Sequence, residues 1–418
     1  MLDLDNPFRP AGSIEAEADV PAVRAIAEAF GANWPKIDAE RMELDASFEP
    51  AGEEVRGSGT LVLTEVAVPD RPGLSDPEMR LEYAGTLAPD TRVAELSRLT
   101  LNSRPLTLAV SGTIAHGDGD WPVNLEGRYS GSWEHLMAML DQVSPGLGRQ
   151  LSIAGSTGGD ISVVGPVYRK GGEPVFKELR ASGPITWDTA DLLGVSAGEA
   201  SFEPRLAEGQ LHLPTHAIDA GGGKLRLGGK VDFRGPVPVY HHTDETRVFQ
   251  GIEIDEDVSR KLLSRFNPIF ADLAAARGGI TLTTRDLYLP LAKDQLDRAR
   301  GSGRLEFSEL EMRAGGLLAR ILTILGEAAG AEMMPARISG VDFVIRDGQI
   351  HYDNFRIFLG GDMDLEFSGA VGFDDGLELS VSVPISATLL EKLGVGGRAL
   401  EFAEVLSGIR VEIPIKGS

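Results

Sequence analysis

Ala154-Gly155-Ser156-Thr157-Gly158 comes within one residue of the G-x-S-x-G turn that lifts a serine nucleophile between a strand and a helix. Alanine stands in the first place, and the GGDISVVG stretch that follows alternates like a strand. A nucleophile elbow needs a helix there, so the segment reads as a glycine-rich turn. His212 and His216 have the four-residue spacing that brings two imidazoles to one zinc ion on a helix. Pro214 lies between them and their neighbours alternate, so the stretch is extended instead. His241 and His242, near Asp244 and Glu245, offer metal-capable groups but read as a solvated loop. Gly221-Gly222-Gly223-Lys224 lacks the leading glycine and the trailing Ser or Thr of a phosphate-binding loop. It reads as a hairpin turn. The carboxylates of IEIDED, Ile252 to Asp257, suit the start of a helix, where negative charge is favoured. No catalytic constellation, metal site or cofactor emerges, and the chain reads as a non-enzyme.

The elements around these groups are mostly strands. GTLVLTEVAV (Gly59 to Val68), MRLEYAGTL (Met79 to Leu87), PLTLAVSGTI (Pro105 to Ile114), GKLRLGGKVDF (Gly223 to Phe233), GITLTTRDLYLPL (Gly279 to Leu291) and GLELSVSVPI (Gly376 to Ile385) all alternate. Many short strands between glycine-rich turns predict an antiparallel sheet, since no regular helix pattern separates them. Amphipathic helices are expected at Val20 to Phe30, Trp133 to Leu140, 257–276, 316–326 and Ala387 to Gly394. Pro268 must kink or divide the third of these.

Composition narrows the partners. The 418 residues exceed one ordinary compact core, and 42% hydrophobic residues exclude general disorder. A net charge of -23 argues against nucleic acid and against broad docking on an anionic membrane. The absence of cysteine removes disulfides and thiolate chemistry together. The acidic start, Met1-Leu2-Asp3-Leu4-Asp5, is no signal peptide. Gly316 to Gly326 is too short to span a bilayer.

From Asp342 to Gly369 large apolar residues fall at nearly every second position, which makes one sheet face apolar and the other wet. Residues 208–233 resemble residues 347–373 at an offset of about 140, with Gly209/Gly348, Gln210/Gln349, His212/His351, Gly229/Gly369 and Phe233/Phe373 matched. A repeated strand–turn–strand unit suggests a sheet extended by similar units.

This cadence, clearest in DGQIHYDNFRIFLGGDMDLEFSGAVGFDDGLELSVSVPI and again in GKLRLGGKVDF, resembles the C-terminal region of AsmA-like proteins, the group that includes TamB. The likeness covers about residues 199 to 418. It implies a mainly β fold: an elongated, curved antiparallel sheet forming an open, apolar-lined, taco-like groove with a few short helices. It implies a lipid-binding and lipid-transfer module in the periplasm or cell envelope, with phospholipid or another acyl lipid as partner. Inner- and outer-membrane proteins are further expected partners, and nucleic acid is not. A membrane anchor, usual in the family, would belong to a segment absent from this chain. The groove would be lined by Leu211, Leu213, Leu225, Leu227, Val231, Phe343, Ile345, Ile350, Tyr352, Phe355, Ile357, Met363, Leu365, Phe367, Val371, Leu379, Val381 and Val383.

Two segments are expected, 1–198 and 199–418, the second carrying both repeats and the helical inserts 257–276 and 316–326. The helices are few and short against the strands, so they are not expected to cover the whole sheet. The alternative is a β-sandwich scaffold or an adhesive module.

Overall fold

A computed structural model describes residues 11–22, 38–68, 71–116, 119–143, 148, 150–169, 175–271, 273, 275–325, 332–359, 364–373, 376–384 and 410–417. The fold is mainly β, a large curved antiparallel sheet with a few short helices. It divides into two compact units, residues 1–190 with 199–214, and residues 191–198 with 215–418. The expected helix at 387–394 and most of that at 20–30 lie outside the described residues, as does Met363.

The first unit is a meander. Strands β1 (Gly12–Asp19), β2 (Arg41–Ala51), β3 (Glu54–Val68), β4 (Arg71–Ala88), β5 (Val93–Asn102), β6 (Leu106–Ala115) and β7 (Asp120–Ser132) pair antiparallel in sequence order. Strand Ser156–Arg169 then pairs with β7. β2 and β3 are joined by a short turn between Ala51 and Glu54, where Gly52 takes φ +72° at no steric cost. Register shifts at Ala84/Gly85 and Leu96/Leu99 interrupt the ladder. Such irregularities bend and twist a sheet locally. Trp133–Val143 is helical, as expected, and packs near β4 and β7.

In the second unit, strand Gly223–Asp232 pairs with both Val239–His242 and Thr246–Glu253. Both of those pair with Ala275–Pro290. The ladder continues through Arg300–Arg313, Val341–Arg346, Gln349–Phe358, Asp364–Gly372, Leu377–Pro384 and Arg410–Gly417.

The internal repeat is carried in the backbone. Glu208 and Gly209 turn with φ +53° and +73°, and Asp347 and Gly348 with +51° and +71°. Two positive φ values in a two-residue loop are what a tight hairpin with correctly twisted strands requires. Further on, Gly229 and Gly369 share φ +127° and +126°. At Gly369 a Cβ would come within 2.2 Å of the Glu378 carbonyl oxygen, so no other residue fits without movement.

Segment 257–276 departs from the expected kinked helix. It forms one π-helical turn (Val258–Leu262) and two 3₁₀ turns (Leu263–Arg265 and Pro268–Phe270), and Ala275 already opens a strand. The break is local chemistry. Asn267 is extended at φ -151°, its side chain accepts from the Ile269 N–H at 3.0 Å, and Pro268 has no N–H to continue the helix.

The last strand is held by one arginine. Arg410 donates to both Asp364 carboxylate oxygens at 2.9 and 3.0 Å and to the Ser382 hydroxyl at 2.8 Å, spanning three strands. Arg410→Ala is expected to cost roughly 1–3 kcal/mol, because Asp364 loses charge-assisted bonds in a half-buried place. Urea unfolding measures the loss, and hydrogen exchange should quicken first in 410–417.

Candidate functional site: two apolar sheet faces

Residues directly opposite in an antiparallel ladder share a face, so the register shows which side chains line up. In the first unit one line runs Ala16, Leu44, Leu61, Leu81, Leu101, Leu108, Tyr129, Gly159, across eight strands. The neighbouring line includes Ile14, Tyr83, Leu99, Val110 and Ile161. The other face is polar. There Asp45, Thr60, Glu82, Thr100, Ala109, Arg128 and Asp160 line up, and Arg80 holds the Glu82 carboxyl below its ordinary range by a 2.9 Å hydrogen bond.

The apolar face of this unit is only half covered. Leu44, Leu61, Leu81, Leu101, Leu108 and Tyr129 are all partly exposed. Toward one rim it deepens into an apolar cavity of about 340 Å³, walled by Phe48, Val55, Tyr83, Leu87, Ala94 and Leu96 and floored by Gly57 and Gly85. Burial pushes the Tyr83 phenol above its usual value. On the same rim Leu87 is 44% exposed and Trp121 46%. The alternating runs that build this face are plain in the sequence. They were not assigned as a lining, because the repeat and the resemblance both point to the C-terminal half.

The second unit treats its apolar face differently. Leu225, Val231, Phe343, Ile345, Ile350, Tyr352, Phe355, Ile357, Leu365, Phe367, Val371, Leu379, Val381 and Val383 are all buried. Leu227 is half-buried, as are Leu211 and Leu213, which belong to the first unit. The cover is helical. Phe266 meets Phe343 edge-on at 5.2 Å, and Phe270 stacks on Phe307 at 5.7 Å and leans on Phe355 at 6.1 Å. Helix Gly316–Leu325, which packs on the Pro268–Phe270 turn, adds Leu318, Ile321 and Leu322 to the core. The expectation that short helices leave this face open is therefore corrected here. One turn of aromatic side chains covers more area than its length suggests. The buried residues form the unit's core.

The groups singled out for chemistry occupy structural places. Ser156 opens a strand, and its carbonyl accepts from the Thr186 hydroxyl at 3.1 Å. His212 and His216 lie on the extended strand Gln210–Ala220. Both nitrogens of His242 are engaged, Nδ1 with the Asp244 carbonyl and Nε2 with the Thr284 hydroxyl, each at 3.1 Å. Asp255 accepts from the Val258 N–H at 2.8 Å, so the acidic run caps the helical segment. Among the described residues, no group of three His, Cys, Asp or Glu is placed to hold a metal ion. No protein-family model, curated protein or solved structure matches the chain.

Proposed function

We propose that the chain is a non-enzymatic lipid-binding module of a cell envelope, holding acyl chains on the apolar face of its first unit and passing them between membranes. The observation that carries this reading is the eight-strand apolar line, whose side chains are half-exposed although they are mostly leucine. Seven inter-strand steps of about 4.8 Å give it a run of about 34 Å, room for an extended acyl chain. Each methylene laid against it gains about 0.8 kcal/mol, so affinity needs no specific polar contact. The cadence shared with AsmA-like proteins supports the same reading. The filled core of the second unit favours a scaffold role for that half.

Solvent extraction of the purified chain followed by mass spectrometry is expected to recover phospholipid or fatty acid. The double variant Leu61→Asp/Leu101→Asp places two carboxylates in the middle of the line, on strands that are not neighbours, where they remain hydrated. It should melt cooperatively near the wild-type temperature and retain less than about a fifth of the lipid, since a buried carboxylate in hydrocarbon costs several kcal/mol. Equal lipid in both proteins, or a wild type that neither carries lipid nor binds a fluorescent fatty acid, overturns the reading.

A further inference from the structure

The polar face of the second unit carries basic side chains on adjoining strands. The register sets Lys230 opposite His241, His241 opposite Tyr288, and Tyr288 opposite Arg300 on adjoining strands. Directly opposed residues lie about 5 Å apart. The Arg300 guanidinium stacks over the Tyr288 ring at 4.3 Å, which leaves its N–H edge free to meet a planar or tetrahedral anion. Arg298 lies two residues earlier, at the end of the 3₁₀ segment Lys293–Arg298. Among the described residues, Lys230, Arg298 and Arg300 have no ion-pair partner, in a chain whose net charge is -23.

These groups border one cavity. His241, Tyr288, Arg298 and Arg300 line a space of about 900 Å³, within the size range of small-molecule sites. Arg234 also lines it, but Asp232 neutralises that charge through two hydrogen bonds at 2.9 and 3.1 Å. Asp286 is the remaining carboxylate of the lining, and its charge acts on Arg285. Val237, Val239 and Leu287 add apolar side chains to the lining. Two arginines without ion-pair partners beside apolar side chains in one cavity suit a ligand with an anionic end and a greasy end.

We propose that this cavity binds a phosphate-bearing molecule with a small apolar part, its phosphate on Arg298 and Arg300. The site is on the face away from the unit's core and is independent of the lipid reading above. Titration of the full chain with phenyl phosphate is expected to show saturable binding at one site, with phenol not bound. Arg298→Ala/Arg300→Ala should weaken phenyl phosphate at least tenfold, and both positions are exposed, so the fold is retained. Leu61→Asp/Leu101→Asp should leave this binding unchanged, which separates its failure from failure of lipid binding. Displacement by inorganic phosphate identifies the bare anion as sufficient. Arginine-dependent binding without displacement identifies the organic phosphate as required. Undiminished binding by the double arginine variant, or phenol bound as tightly as phenyl phosphate, overturns the proposal.

Discussion

Ile357→Asp is expected to unfold the second unit. Ile357 has no exposed surface, pairs with Leu365 and Ile338 across its two neighbouring strands, and shares the sheet face of Phe355 and Phe367. A carboxylate there has no cation within the apolar core, so it either stays charged at a cost of several kcal/mol or takes up a proton. Domains of this size are stable by only about 5–15 kcal/mol, so the change removes much of the margin. Urea unfolding should show the midpoint collapse, with the variant partitioning into the insoluble fraction. Ile357→Val, which removes one methylene, should cost about 1 kcal/mol and serve as the control. A folded Ile357→Asp with the wild-type midpoint would mean that this face is open to water.

Phe270→Ala tests the cover from the other side. Phe270 is 1% exposed, stacks almost parallel on Phe307 and tilts against Phe355. Losing the ring removes the buried area and both aromatic contacts and leaves a void that the flanking turns cannot close. The adjoining Asn267 and Pro268 fix the backbone, so relaxation is limited. The expected cost is about 3–5 kcal/mol. A dye that fluoresces on apolar surfaces should bind the variant and ignore the wild type. A loss below about 1 kcal/mol would mean that the 3₁₀ turns rest on the sheet without sealing it.

Much of the fold was written in the alternation. A period of two leaves no choice about which side chains share a face, and the glycine pairs place the turns. The repeat was legible for the same reason. Glu208-Gly209 and Asp347-Gly348 need positive φ at both positions, and so few residues tolerate this that the pattern survives in the letters. The segment 257–276 was legible in part. Its apolar stripe is plain in the sequence, but the period alone could not tell an α-helix from a π turn followed by 3₁₀ turns. That was decided by how Asn267 and the rings settle on the sheet.

The sequence by itself therefore determined the class of element, the turn positions, the repeat and the presence of apolar faces. Which of those faces would be filled was decided only by tertiary structure. Leu81 and Leu365 sit in equally good alternating strands, yet Leu81 is partly exposed and Leu365 wholly buried. The difference lies in segments such as Val258–Phe270 and Gly316–Leu325, far away in the chain, that close over the second face. The hydrophobic effect is non-directional, so an apolar stripe states that it must be buried without stating against what. The row of Lys230, His241, Tyr288 and Arg300 arises the same way, from strands that meet only once the register is set.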